Sequence, residues 1–502
     1  MPDQMKNKLQ GDKSFRRNKL FYSIPGTGRD MAYSLFNYFL LTYVLYTRQL
    51  TTKQFAAVSV IMIVCRIWDG VNDPIMGGIV ENTRTRFGKF KPWIFIGAVT
   101  NAIVLTVIFT NRTTDWAFVI LFCFLYLIWD VTYTMNDIGY WSMLPSLTSK
   151  ADQRDSITSL ANFFAGMGTV FAAGLIPILT AGKLAIGGNT ITAYAVVAVV
   201  ISIVFVTGQI MVCIGVKEPH AATEKTDEKI GFIKMIKVII HNDQLLWVTL
   251  IMLLVNLGGA LLTAFGTNYL YLEFGYEGKN VTLFTAFYAA ASGIISLIYP
   301  IMTKRFSRNQ LAFMSLCASF VGYALFTLTG FTVSGQLKLW LYCGEAFVVG
   351  FGYALFYMVV TICLTNTIEY NEYKTGSRNE AVIFSLRPFM AKMSSSIQQV
   401  IVMAVYLVIG MTTITNGISN LERQANLKQI TEEAKNAGVT TILAGAPSYI
   451  TVTLRMVMAV LPLIFMTAAY VVMKKKTTID EEEYQKMLTE IEARKEDGAP
   501  ES

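Results

Sequence analysis

Charge is scarce in this sequence, and histidine scarcer still. Only 15% of the residues are charged, against about a quarter in ordinary soluble domains, while 53% are hydrophobic and the mean hydropathy is +0.46. A soluble chain of 502 residues would divide into several domains with charge spread over their surfaces. The two histidines, His220 and His241, fall in the polar middle of the chain, which excludes a histidine-based catalytic site or proton relay within the apolar segments. The six cysteines (Cys65, Cys123, Cys213, Cys317, Cys343 and Cys363) are scattered singly through apolar runs. They read as small buried hydrophobes, with neither a disulfide framework nor metal-ligand spacing. The N-terminal stretch "MPDQMKNKLQGDKSFRRNKL" lacks an apolar signal core and a cleavage site, so the first apolar segment is expected to target the chain. Nucleophile–base pairs, glycine-rich phosphate loops and ligand clusters of the usual forms are missing too. Neither an enzyme nor an organic cofactor is expected.

What the sequence has instead is long, unbroken apolar runs of about 20 residues, the length that crosses a bilayer as a helix. Barrel strands would alternate over shorter stretches, and only helices or closed barrels satisfy every backbone group in lipid. The fold class expected is therefore all-α and polytopic. Twelve spans are predicted, over 30–47, 55–80, 92–110, 116–140, 157–180, 190–215, 245–271, 281–303, 310–331, 338–366, 380–411 and 448–473. The most polar internal loop separates six spans from six, giving an N-terminal half at 1–216, a middle loop at 217–244, a C-terminal half at 245–473 and a charged tail at 474–502. The net charge of +8 does not gather into one basic face, so nucleic acid is not an expected partner. Lys and Arg concentrate in alternate loops, including Arg84, Arg86, Lys89 and Lys91 after span two and Lys304, Arg305 and Arg308 after span eight. This asymmetry puts both termini and the middle loop on the cytoplasmic side of the cell membrane. The two basic loops lie six spans apart, a weak internal repeat that fits two parallel six-helix halves, the architecture of the major facilitator superfamily.

Several spans carry polar groups that hydrocarbon penalises by roughly 2.5–3.5 kcal/mol per charge. Span two contains "RIWDGVNDPIMGG". On a helix Asp69 and Asp73 share one face, with Asn72 beside them and Arg66 one turn earlier. Two carboxylates this close repel unless one takes up a proton or a cation lies between them. Arg66 can neutralise one, leaving a negative charge for Na⁺, Li⁺ or H⁺, since carboxylate and amide oxygens suit hard ions. Pro74 and the pair Gly77–Gly78 predict a kink and close packing. Span four contains "WDVTYTMNDIGYW", placing Asp130, Thr134, Asp137 and Trp141 on one stripe. Such a stripe must face a cavity, and Trp141 with Asp137 makes a sugar platform, the ring stacking on a pyranose while the carboxylate accepts hydroxyl hydrogens. Span one opens on "GTGRDMAYS", where Arg29 and Asp30 follow Gly26 and Gly28, small residues that permit close helix approach. The pair reads equally as a helix-start ion pair at the boundary. Lys392 in span eleven needs a partner to stay charged, and Arg387 lies nearer the cytoplasm. Glu345 and Arg455 are intramembrane charges without an assigned role.

Taken together, these residues resemble the glycoside–pentoside–hexuronide:cation symporters, the family of the bacterial melibiose permease. Three motifs carry the likeness: "RIWDGVNDPIMG" with "GKFKPW", "YTMNDIGYWSMLP", and "EYNEYKTGSRNE" (Glu369–Glu380). The resemblance implies a coupling-cation site at Asp69, Asn72, Asp73 and Thr134, and sugar contacts at Arg29, Asp30, Asp137 and Trp141. It also implies Lys392 as a charge partner near the cation. Asn162 stands where the melibiose permease carries a sugar-contacting arginine, which counts against melibiose and any arginine-dependent substrate geometry. The expected activity is symport of a sugar or glycoside with Na⁺, Li⁺ or H⁺ by alternating access, with no obligate protein partner. Two alternatives stay open: a cation-coupled carrier of amphipathic lipids on the same fold, with a cavity open sideways to lipid, and a membrane sugar sensor, which would need a signalling domain larger than the middle loop or tail.

Overall fold

Every regular element among the described residues is helical, as uninterrupted apolar runs in lipid require. The computed structural model describes residues 15–148, 151–217, 242–376, 380–479 and 481–497. His220, His241, Lys150, Arg378 and most of the middle loop lie outside the described residues. A short helix over 15–23 leads into α1 (Gly26–Thr47), followed by α2 (Thr52–Asn82), α3 (Lys91–Thr110), α4 (Asp115–Met143), α5 (Ala151–Thr180) and α6 (Thr190–Gly215). The second series is α7 (Asp243–Phe274), α8 (Gly278–Met302), α9 (Arg308–Thr332), α10 (Gly335–Thr375), α11 (Glu380–Ile409) and α14 (Ser448–Lys476). Between α11 and α14 lie two shorter helices, α12 (Met411–Asn426) and α13 (Glu432–Ala444), and the tail forms α15 (Glu481–Asp497).

Of the twelve spans predicted, eleven correspond to helices long and apolar enough to cross a membrane among the described residues. The exception is α1, which at 22 residues is long enough but carries Arg29, Asp30, Ser34 and Asn37. Local sequence sets the ends: Thr51 and Gln54 form a reciprocal capping box at the start of α2, Ser307 and Gln310 do the same for α9, and Gly376, in the left-handed region at φ 71°, closes α10. Large apolar side chains such as Ile203, Leu297 and Val408 stay exposed, because the surrounding solvent is hydrocarbon.

The chain forms two compact units. The first is drawn from Met1–Asp227, Gly275–Thr282 and Tyr406–Ala446, the second from Glu228–Phe274, Leu283–Val405 and Pro447–Ser502. In the first, α1 packs on α5 and α6, α3 on α4 and α6, and α2 on α4. In the second, α7 packs on α14 and α10, and α9 on α10 and α14. Three pairings thus recur six spans later: α1 with α6 as α7 with α14, α3 with α4 as α9 with α10, and α3 with α6 as α9 with α14. The first unit also holds α12 and α13, although they follow α11 in sequence. Asn416 donates to the Leu50 carbonyl at 2.7 Å and accepts from its N–H at 3.0 Å, and Asn426 donates to Thr192 Oγ1 at 2.8 Å. Glu422 and Lys435 are fully buried 3.5 Å apart; Glu422 accepts the Thr190 N–H at the start of α6 at 2.8 Å, and Lys435 donates to the Gly188 carbonyl at 2.7 Å.

The packing expected at Gly77 and Gly78 is not there: a Cβ at either would meet nothing within 4 Å. The helix runs on through them to Asn82. Close approach belongs instead to Gly28, where a Cβ would come within 3.0 Å of the Val204 carbonyl on α6. Another falls at Gly97, where it would lie 2.6 Å from the Asn136 N on α4.

Candidate functional site

Two polar clusters lie in the first unit, and α4 contributes to both. In the first cluster Arg29 on α1 is buried and grips two carboxylates. Its Nε and Nη2 donate to Asp30 Oδ2 at 3.0 and 2.7 Å, and its Nη1 lies 3.2 Å from Asp137 Oδ1 on α4. The guanidinium sits over the rings of Tyr140 and Trp141, with Cζ 4.5 and 4.9 Å from their centroids, a favourable placement for a cation on an aromatic face. Tyr140 is fixed from the other side by Tyr22: the rings stack at 4.3 Å, and each hydroxyl donates to the other's carbonyl, at 2.9 and 2.7 Å. Arg29 and Asp30, near the start of α1, therefore join a cluster with Asp137, Tyr140 and Trp141. Arg29 is 3% exposed whereas Asp30 and Asp137 are 19% and 34% exposed. The cation is enclosed, whereas both carboxylates keep part of their surface accessible.

The second cluster lies between α2 and α4. Thr134 Oγ1 donates to Asp73 Oδ1 at 3.3 Å. Asn72 is buried, and its Nδ2 has no hydrogen-bond partner among the described residues. Asp69 is buried, and Arg66, buried too, lies within electrostatic reach of Asp69 and Asp130 and of the Tyr33 and Tyr126 hydroxyls. Asp130, which sequence spacing put on the stripe without a role, thus joins the Arg66 neighbourhood. Arg66 thus has two carboxylates near it, Asp69 and Asp130, and Asp73 lies on the same helix as Asp69. The donor set of carboxylates, amide and hydroxyl matches a hard monovalent cation. Thr134 and Asp137 are three residues apart on one helix face, so the two clusters share a single rigid turn of α4.

One predicted residue stands apart within the first unit. Asn162 is exposed on α5, and no interaction joins it to the Arg29 cluster among the described residues. Lys392 is half-buried on α11 in the second unit, its carbonyl accepting from Ser396 Oγ at 3.0 Å. In the same unit Arg387 is exposed and donates to Tyr357 Oη at 2.9 Å. Arg455, unassigned from sequence, enters a hydrogen-bonded ion network there: it donates to Tyr269 Oη at 2.9 Å and Glu273 at 3.2 Å, and Lys338 pairs with Glu273; Glu345, also unassigned, accepts from Thr329 Oγ1 at 2.5 Å. Sequence reasoning also passed over the aromatic column beside the clusters. Phe36 stacks on Trp129 at 3.5 Å and Trp129 on Tyr133 at 5.1 Å. The signal was legible: Phe122, Tyr126, Trp129, Tyr133 and Tyr140 recur along α4 at helical spacing.

Long apolar helices with charge clusters buried among them define a polytopic membrane protein. The chain belongs to the MFS/sugar transport protein family, whose pattern it matches over residues 21–481. It is 30% identical over 428 residues to the lactose permease of Leuconostoc lactis, covering 80% of this chain and 64% of that one. It is 27% identical to the raffinose carrier protein of Pediococcus pentosaceus, covering 79% and 63%, and 24% identical to the isoprimeverose transporter of Lactiplantibacillus pentosus, covering 75% and 77%. The chain thus spans just under two thirds of the lactose and raffinose carriers. Among solved structures the nucleoside transporter NupG has the same fold, with a TM-score of 0.57 at 13% identity over 91% of this chain and all of that one.

Proposed function

We propose that this protein is a transporter rather than an enzyme, carrying a sugar or glycoside into the cell together with a monovalent cation, from a position in the cell membrane with both termini cytoplasmic. The observation that carries the reading is the sharing of α4: Thr134 reaches the Asp73 carboxylate at 3.3 Å, and Asp137, one turn on, reaches Arg29 at 3.2 Å. A cation ordering Asp69, Asn72, Asp73 and Thr134 thereby orders the helix turn that presents Asp137 and Trp141 to the sugar. Each ligand then tightens the other by the same factor. The alternating loop charge supports the orientation, and the names of the lactose, raffinose and isoprimeverose carriers support a glycoside, with galactosides the first class to assay. Asn162 in place of a cationic residue leaves recognition to Arg29, Asp30, Asp137 and Trp141.

The test is uptake of labelled lactose, raffinose and xylosides into proteoliposomes under imposed Na⁺, Li⁺ or H⁺ gradients. Accumulation driven by at least one gradient, abolished in Asp137→Asn, is expected. Sugar entry that ignores every gradient would overturn the coupling, and entry unaffected by Asp137→Asn would overturn the sugar site.

A further inference from the structure

At the end of the second unit where α9 begins and α14 ends, a groove of about 440 Å³ opens on the surface. Its floor is apolar and aromatic: Phe306, Phe313, Met314 and Tyr470, with the Phe313 and Tyr470 rings 5.8 Å apart. Its polar members are Asn309, Gln310 and Lys474, and it has no carboxylate among its lining residues. The Gln310 side-chain carbonyl is taken by the Ser307 N–H at 2.9 Å in the α9 capping box, so the amide nitrogen is the end left to donate. Exposed Lys304 and Arg305 precede α9 on one side, and exposed Lys475 follows Lys474 on the other. Lys476 is engaged elsewhere, over the Trp247 ring at 4.9 Å. Phe306 and Phe313 are themselves exposed, so the aromatic floor faces the surrounding medium rather than the protein core.

An apolar slot walled by rings, with Lys474 in its lining and exposed Lys304, Arg305 and Lys475 next to its lining residues in sequence, lies where two membrane helices reach their ends and suits a long hydrocarbon with an anionic head. We propose that this groove binds an anionic phospholipid of the cytoplasmic leaflet. Its acyl chain lies along Phe313, Met314 and Tyr470, and its phosphate sits between Lys474 and Arg305 within reach of the Gln310 amide. Lys and Arg clustered beside a membrane helix attract acidic headgroups, and aromatic side chains settle at that depth. A zwitterionic lipid fits less well, because its ammonium group would find cations and no carboxylate. The choice of leaflet rests on the cytoplasmic orientation proposed above, whereas the site itself does not depend on the sugar reading.

The test is native mass spectrometry of the full chain, purified and exposed to equal amounts of phosphatidylglycerol and phosphatidylcholine of the same acyl composition. Wild-type protein is expected to retain phosphatidylglycerol preferentially. Lys474→Gln and Arg305→Gln are each expected to lower that retention by about fivefold, the factor one cation contributes at an acidic membrane surface. Phe313→Ala should weaken both lipids together, while Lys279→Gln, an exposed cation far along the chain in the α7–α8 region, should change nothing. Equal retention of the two lipids by the wild type overturns the proposal without reference to any variant, as does undiminished preference in both cation variants. Thermal stabilisation by inorganic phosphate alone that matches phosphatidylglycerol would make this a free-anion site and overturn the lipid. Lipid preference that survives in protein inactive for sugar uptake would leave this site standing while the transport reading fell.

Discussion

At the scale of single residues, the sharpest contrast lies between Arg29 and lysine. The guanidinium serves two carboxylates and two aromatic faces at once, a task for a planar fork and not for a point charge. Arg29→Lys is expected to reduce sugar uptake by about 10- to 100-fold, in line with the roughly 1.5–3 kcal/mol of one hydrogen bond to a charged group; isotope uptake at saturating cation measures it, and retention of most activity would show that the second carboxylate contact is dispensable. In the other cluster, Asp73→Asn and Thr134→Ala should remove cation stimulation while leaving counterflow of sugar down its own gradient measurable. Ion-stimulated uptake equal to wild type in both would displace the cation from this cluster. The identities of these residues were legible from their cost in hydrocarbon. The partner of Arg29 was not, because an arginine next to Asp30 in sequence has no way of announcing a second acid on α4. Nor could spacing reveal that Asn162 would be exposed and apart.

At the scale of elements, the segment between α11 and α14 shows how a loop becomes a buttress. Glu422 is buried against Lys435 and the start of α6, and burial pushes its carboxyl above the ordinary value of 4.5 while Lys435 pulls it down. Lys435→Met leaves that carboxyl buried without its cation and should lower stability near neutral pH by about 3–5 kcal/mol. A group whose folded-state pKa is raised contributes fully below its ordinary value and loses that contribution as pH rises through the raised one. The deficit of Lys435→Met should therefore shrink as pH falls towards 4.5 and vanish as a pH effect in Lys435→Met/Glu422→Gln. Thermal melts across that range measure it, and a deficit independent of pH would remove Glu422 titration from the account. Glycines make the second contrast. Gly28→Ala drives a methyl against the α6 backbone and should cost about 1–3 kcal/mol. Gly77→Ala meets open space and should be neutral or gain up to about 1 kcal/mol in helix propensity; equal melting temperatures for the two variants would contradict the packing described. Sequence spacing flagged both glycine pairs alike, since small residues permit approach without compelling it.

At the scale of the whole molecule, the proposed coupling has a thermodynamic signature that needs no mutation. If cation and sugar tighten each other through α4, saturating cation should raise sugar affinity by a factor of about 5–150, and saturating sugar should raise cation affinity by that same factor. Calorimetric titrations in both orders measure it, and unequal factors would mean that the two ligands do not report on one equilibrium. Much of the architecture was determined by the sequence alone. Hydropathy is a local property, so apolar runs marked the helices whatever their neighbours, and the cost of charge in hydrocarbon singled out Asp69, Asp73, Asp137 and Arg29 one helix at a time. Only the tertiary structure decided which of these meet, that Asp130 belongs with Arg66, that α12 and α13 pack with the first unit although they follow α11, and that Gly28 rather than Gly77 is the point of close approach. Those outcomes depend on distances of a few ångströms between side chains remote in the chain, and a linear pattern of residue types holds no information about such distances until the helices have packed.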